Sequence, residues 1–249
     1  MTVLLLFDVD GTITESGQKI SQIMVNTINS IDKNKYQLGI VGGGTLDKIL
    51  IQLDHKINFI HYFTQCGSVY HQYNHIDNSF ENIYTKNIKN SFRYTQINKL
   101  IKIALGFLSN VDYNLCGHHI DIRDGLVYIS LIGLNASFEE RQDFINIDKL
   151  YNYRLHLLNL LLQKSSELCF DNIDIVLGGT VGIAIYPSEF DKSQIMNHID
   201  ISKYTNIYYF ADQYKENGND FKLINNEYII GRPVDSVQQT IEKLQPLLH

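Results

Sequence analysis

Val3-Leu4-Leu5-Leu6-Phe7 runs without a break into Asp8-Val9-Asp10-Gly11-Thr12. An apolar run this short, apolar at both alternating sets of positions, predicts a strand buried on both faces, as in a parallel sheet. Residues two apart on a strand share a side, so Asp8 and Asp10 are expected to leave the strand end together. Gly11 lets the chain turn sharply after them. In open α/β sheets, ligands bind beyond the carboxyl ends of the strands. Two acids held there repel unless a cation sits between them, and a hard, oxygen-seeking ion such as Mg²⁺ is the natural partner.

The 249 residues are 44% hydrophobic and 19% charged, which gives length for a core and fits one large or two small domains. A formal net charge of −6 argues against nucleic acid and anionic membrane as partners. Cys66, Cys116 and Cys169 show no CxxC pairing. An odd, sparse set suits a reducing compartment, so a cytoplasmic location is expected. No apolar stretch approaches the roughly 20 residues of a membrane span, and Asp8 interrupts the apolar start too soon for a signal-peptide core. Asn135-Ala136-Ser137 matches a glycosylation sequon, read here as chance.

Gln18 to Lys33 has amphipathic helical spacing at Ile20, Ile23, Met24, Ile28 and Ile31. Tyr36 to Val41 predicts a second strand, ending in Gly42-Gly43-Gly44-Thr45. A helix follows from Leu46, and a third strand is expected over Ile57 to Phe63. This βαβαβ order predicts a parallel sheet with helices on its faces. The middle of the chain differs. A helix is expected over Gln96 to Leu108. Two alternating runs, His119 to Arg123 and Leu126 to Ile132, flank Asp124-Gly125, a type I′ hairpin signal. Helical patterns follow at Phe138 to Phe144 and Leu150 to Leu162, then strands at Ile173 to Leu177 and Val181 to Tyr186. After Pro187 the αβ pattern returns, with a buried strand at Ile207 to Phe210. A closing helix follows over Asp235 to Leu244, with Asp235 as its N-cap. The expected architecture is an α/β core with a parallel sheet, residues 1–83 and 188–249, interrupted by an inserted α+β cap domain at 84–187.

Asp212 stands just past the strand ending at Phe210, and Gly218-Asn219-Asp220 follows, so an acid at a second strand end would complete a metal site. Cys116, His118, His119 and Asp121 lie close in sequence, but adjacent strand residues face opposite sides and are not expected to converge. The Asp8-Val9-Asp10-Gly11-Thr12 pattern resembles the first motif of the haloacid dehalogenase (HAD) superfamily of phosphotransfer enzymes. The resemblance implies a Rossmann-like core in which Asp8 attacks phosphorus and becomes an aspartyl phosphate. It makes Asp10 the general acid/base, offering its backbone carbonyl to Mg²⁺. Asp212 becomes a metal ligand, while Asn219 and Asp220 orient the metal's waters or bind it directly. Lys192, in Phe190-Asp191-Lys192, fits the third motif, where a lysine neutralises developing charge. Gly43, Gly44 and Thr45 resemble the second motif, whose hydroxyl and backbone N–H groups hold the phosphoryl group.

The whole chain is similar to the eukaryotic α-phosphomannomutases. FDVDGTIT, QKI, VGGG, IDIRDGLVYIS, IG, EER, GG, YP, DK and GND occur in the family's order. The resemblance implies interconversion of mannose 6-phosphate and mannose 1-phosphate, with Mg²⁺ and a hexose 1,6-bisphosphate activator. It also implies a homodimer through the cap, with Lys19, Arg123 and Arg141 binding the sugar phosphate. Several family positions differ. Gly17 stands in place of an arginine, Gly44 of a serine, Cys116 and Leu134 of arginines, and Gly182 and Ala184 of a serine and an aspartate. A hydrogen bond to a charged group contributes about 1.5–3 kcal/mol, so losing two clamp arginines costs roughly 3–6 kcal/mol. That is on the order of 10²–10⁴ in binding. Three readings follow: a phosphomannomutase-like enzyme, a sugar-phosphate phosphatase on the same fold, and a phosphosugar-binding protein without turnover.

Overall fold

The computed structural model describes residues 2–216 and 218–247. The chain divides into two compact units, Met1–Lys86 with Asp191–His249, and Asn87–Phe190. In chain order the strands are β1 (Thr2–Phe7), β2 (Tyr36–Val41), β3 (His61–Thr64), β4 (Val69–Asn74), β5 (Ser79–Thr85), β6 (Ile120–Ile122), β7 (Val127–Ser130), β8 (Ile173–Gly178), β9 (Gly182–Pro187), β10 (Tyr204–Ala211) and β11 (Ile230–Pro233). The α-helices are α1 (Gln22–Asn29), α2 (Leu46–Gln52), α3 (Tyr94–Leu108), α4 (Phe138–Tyr151), α5 (Tyr153–Glu167), α6 (Phe221–Ile224) and α7 (Val237–Leu244).

The first unit is built on a seven-stranded sheet in the order β11-β10-β1-β2-β3-β4-β5. β11 to β3 run parallel, and β4 and β5 are antiparallel additions at one edge. β1 lies at the centre and is buried on both faces, as its unbroken apolar run requires. Leu5 and Phe7 pack with Met24 and Ile28 of α1 and Val237 and Leu244 of α7. Leu4 and Leu6 pack with Ile195, Ile199 and Leu223 on the other side. Phe7 and Phe210 are register partners on β1 and β10, and their rings stack at 5.1 Å.

The second unit is a four-stranded antiparallel sheet in the order β6-β7-β9-β8, with α3 and α5 packed in the same unit. Leu157 and Leu161 on α5 and Ile97, Leu100 and Ala104 on α3 are buried, the spacing expected of helices that cover a sheet. α4 and α5 are separated by Asn152 in the left-handed conformation (φ 54°). Asp148 steadies this break by accepting from the Arg154 backbone N–H at 2.8 Å and from its Nε at 2.7 Å.

Several expectations need correction. α1 begins at Gln22, because Ser21 Oγ accepts from the Met24 N–H and caps the helix there. The third strand is His61–Thr64; Ile57 and Phe59 are buried from a loop, where the Phe59 N–H donates to Tyr62 Oη. β4, β5 and β11 have no counterpart in the sequence reading. Ser236, not Asp235, caps α7, accepting from the Gln239 N–H. Asp235 accepts instead from the Tyr214 hydroxyl at 2.9 Å. Neither Asp124 nor Gly125 has positive φ, so their turn is not type I′. Asp124 is held by a tertiary tie: its carbonyl accepts from the Ile88 N–H at 2.6 Å and its side chain from Asn87 Nδ2 at 2.5 Å.

Candidate active site

The parallel pairing of β1 with β10 brings the acids together. The Asp8 N–H donates to the Phe210 carbonyl at 2.9 Å, so Asp8 and Asp212 leave neighbouring strands at the same end. Gly11, at φ +81°, turns the chain directly against Asp212. Lys192 arrives on the 3₁₀ segment Lys192–His198, which Asp191 caps by accepting from the Ser193 N–H at 2.7 Å. The Lys192 ammonium lies 2.6 Å from Asp8 Oδ1 and 2.6 Å from Asp220 Oδ1. Its side chain is only 1% exposed. Asp220 is fully buried; it also accepts from the Tyr209 hydroxyl, and from the Gln213 N–H at 3.2 Å. One oxygen each of Asp8, Asp212 and Asp220 lies within 4.8 Å of the others.

Two buried carboxylates, Asp8 and Asp220, and the half-buried Asp212 face one buried ammonium, so the cluster carries excess negative charge. Burial pushes the Asp8 carboxyl well above its ordinary range against the pull of Lys192, and Asp220 and Asp212 add repulsion. Burial likewise pushes Asp212 up to about 6. Burial alone would lower Lys192, but Asp220 and Asp8 outweigh it and hold the amine above the ordinary lysine range. Among the described residues, Asp212 Oδ1, Asn219 Oδ1 and Thr12 Oγ1 are buried without a hydrogen-bond partner. Orphaned oxygens beside excess carboxylate charge are what a hard divalent cation requires, so the donor set fits a metal ion. Among the described residues, Cys116, His118, His119 and Asp121 form no such group.

Asp10 is not one of the three acids of that group. The strand ends at Phe7, and the chain then folds back so that the Ile13 and Thr14 N–H groups both donate to the Val9 carbonyl. The alternation of sides therefore stops before it reaches Asp10. Its carboxylate accepts from the Gly17 N–H at 2.7 Å and from Gln52 Nε2 at 2.8 Å. Lys19 is exposed and pairs with Asp54 at 2.6 Å. Gly43 and Gly44 follow β2, where the Gly42 and Gly44 carbonyls accept from Cys66 and Gln65. Thr45 Oγ1 caps α2, accepting from the Lys48 N–H at 3.5 Å.

In the second unit Arg123 pairs with Asp121 at 2.7 Å, and its guanidinium lies 5.1 Å from the Tyr128 ring centre. Arg141 donates to the Leu134 and Ala136 carbonyls at 2.8 and 3.1 Å. The Tyr128 ring crosses the glycines of β8 and β9. A Cβ at Gly182 would fall 2.5 Å from Tyr128 Oη and from the Ile129 carbonyl, so a serine does not fit there while Tyr128 is in place.

Tyr209 and Gln52 were missed by the sequence reading. Tyr209 had one signal, a hydroxyl inside a strand otherwise read as buried, since such a group needs a partner. Gln52 had none, because a glutamine closing an amphipathic helix looks like a solvated residue.

The family model for eukaryotic phosphomannomutase matches residues 24–249. The chain is 28% identical to the phosphomannomutase of Triticum aestivum over 248 residues, covering 98% of this chain and 95% of that protein. It is 28% identical to that of Saccharomyces cerevisiae over 249 residues, 99% and 94% of the two chains. With phosphomannomutase 1 of Dictyostelium discoideum it is 31% identical over 227 residues, 90% and 87%. Among solved structures it resembles truncated, IMP-bound Plasmodium falciparum IMP-nucleotidase (TM-score 0.65, 14% identity, 100% of this chain and 68% of that one). It also resembles the C-terminal domain of C. albicans trehalose-6-phosphate phosphatase (TM-score 0.61, 14% identity, 99% and 92%). These two likenesses show a shared fold. With its buried acid cluster and its sequence matched over nearly the full length, this chain belongs to the eukaryotic phosphomannomutase family of the HAD superfamily.

Proposed function

We propose that this isomerase-type phosphotransferase interconverts mannose 6-phosphate and mannose 1-phosphate through an aspartyl phosphate on Asp8. The observation that carries the reading is the pairing of Asp8 with Lys192 inside a buried cluster of three acids. Asp8 is the nucleophile, and Lys192 pulls its carboxyl toward the anion against burial and offsets charge gathering on the phosphoryl group. Asp10, apart from that cluster, carries the proton to and from the sugar hydroxyl. Gly43, Gly44 and Thr45 bind the phosphoryl group, and Lys19, Arg123 and Arg141 serve the rest of the sugar phosphate. Mg²⁺, held by Asp8, Asp212 and the Asp10 carbonyl with Asn219 and Asp220, would supply positive charge against the phosphate. The reading extends to a hexose 1,6-bisphosphate activator, a cytoplasmic location and a homodimer through the cap. Among the described residues, no helix is long and apolar enough to cross a membrane.

The test is Asp8→Asn, assayed with mannose 1-phosphate, Mg²⁺ and a hexose 1,6-bisphosphate, reading isomer and free phosphate together. Loss of both products in a folded variant supports the reading; near-normal turnover sinks it.

A second reading, a sugar-phosphate phosphatase, is favoured by the state of the second unit. Arg123 and Arg141 already bind groups of their own unit, and Tyr128 excludes a serine at 182. A mutase must retain its bisphosphate while the sugar turns, whereas a phosphatase need not. Under this reading free phosphate is the larger flux, and Leu134→Arg shifts the partition toward isomer.

A further inference from the structure

Asp10 is held from two sides, and one of the holders is a side chain with no assigned role. Gln52 is the last residue of α2 and is 5% exposed. Its carbonyl accepts from the Ile20 N–H at 2.7 Å, and its side-chain amide donates to Asp10 Oδ1 at 2.8 Å. The Gly17 N–H donates to the same oxygen at 2.7 Å. Gln52 thus ties the end of the 15–20 loop and the Asp10 carboxylate to one point on a helix. The amide cannot be reversed at no cost, because its oxygen would then face a carboxylate oxygen and repel it.

We infer that Gln52 is a positioning residue for the proton transfer, holding Asp10 by Oδ1 so that Oδ2 carries the travelling proton. This rests on the reading of Asp10 as acid/base. In the forward step an Asp8 oxygen bonds to phosphorus, the bond from phosphorus to the leaving oxygen breaks, and the Asp10 proton goes to that oxygen. In the return step Asp10 takes the proton of the incoming hydroxyl while that oxygen bonds to phosphorus and the acyl-phosphate bond breaks. Atoms and charge balance in both. Two donors on one oxygen leave the other for the proton, and they fix the plane of the carboxylate. Without Gln52 the carboxylate keeps, among the described residues, only the Gly17 hydrogen bond and can turn about its side-chain bonds. Misplacing a reacting group by about 1 Å costs on the order of 10² in rate.

A residue that acts through the acid leaves a signature that a merely structural residue does not. p-Nitrophenolate is a weak base and departs from phosphorus with little help from a proton, whereas phenolate needs one. The experiment compares kcat/KM for phenyl phosphate and p-nitrophenyl phosphate in wild type, Gln52→Met, Gln52→Asn and Asp10→Asn, with saturating Mg²⁺. Methionine matches the length of glutamine without its donor. Asparagine keeps the amide but is one methylene short, which provides a second folded variant. The expected result is a fall of roughly tenfold or more in the phenyl-to-nitrophenyl ratio in both Gln52 variants, in the same direction as Asp10→Asn. Equal losses on the two substrates, or an unchanged ratio, would overturn the inference. Asp8→Asn, run alongside, separates this failure from failure of the broader reading. If it loses both substrates while the Gln52 ratio stays flat, only the Gln52 role falls. If it keeps turnover, the aspartyl-phosphate reading falls, and this role with it.

Discussion

A methyl group on Gly11 would stand 2.5 Å from Oδ2 of Asp212. The turn after the first strand and the acid after β10 are therefore packed backbone against carboxylate. Gly11 also has φ +81°, where other residues are strained by about 1–3 kcal/mol. Gly11→Ala is expected to displace Asp212 and to lower both kcat/KM and Mg²⁺ affinity by at least about 10². Mg²⁺ titration of activity checks it, and an alanine variant with unaltered metal dependence would refute the packing argument.

The Asp212 carboxyl is pushed by burial from an ordinary 3.8 to about 6. Between those values the folded chain keeps a proton that the unfolded chain has lost. Stability from this group therefore falls as pH rises through that window, by roughly 3 kcal/mol at about 1.36 kcal/mol per pH unit. A divalent ion displaces the proton, so its affinity weakens as pH falls below about 6. Melting temperatures with and without Mg²⁺ should differ most above pH 6 and converge toward pH 5. A gap independent of pH would show that Asp212 does not hold the ion.

Tyr209 donates to Asp220 in a fully buried site, and Asp220 in turn holds Lys192. Tyr209→Phe keeps the ring and removes the donor. It should cost about 1–3 kcal/mol in denaturant unfolding, the range for a hydrogen bond to a charged group together with its unsatisfied partner. If unfolding is unchanged, Asp220 is satisfied by Lys192 and Gln213 alone.

Gly182 and Tyr128 should be energetically coupled. Gly182→Ser alone meets the tyrosine ring and the Ile129 carbonyl, and is expected to destabilise by about 1–3 kcal/mol or more. Adding Tyr128→Ala removes one of the two clashes. A double-mutant cycle should give a favourable coupling of at least about 0.5 kcal/mol. Strict additivity would mean that the Ile129 backbone alone excludes the serine.

Some of this protein was legible in local sequence. Val3 to Phe7 could only be a strand buried on both faces, and Asp8 after it could only sit at a strand end. The strands at Tyr36 and Ile207 follow from the same apolar logic, and Asp212 follows from the second of them. These are short-range consequences of backbone period and hydrophobicity, carried by a few adjacent residues. The rest depended on partners far away in the chain. β5 is mostly exposed at the sheet edge, so its sequence shows no apolar pattern, and only its pairing with β4 makes it a strand. Asp10 followed the alternation rule on paper, yet the strand stopped at Phe7 and Asp10 was drawn to Gly17 and Gln52. Asp235 had the composition of a cap, but Tyr214 competed for its carboxylate. Lys192 was marked only by its resemblance to a motif, and its place between Asp8 and Asp220, 184 and 28 residues away in sequence, came from folding. Period and propensity are properties of neighbours along the chain. Which carboxylate meets which donor is decided by packing, because a buried polar group takes whatever partner the tertiary fold brings within reach.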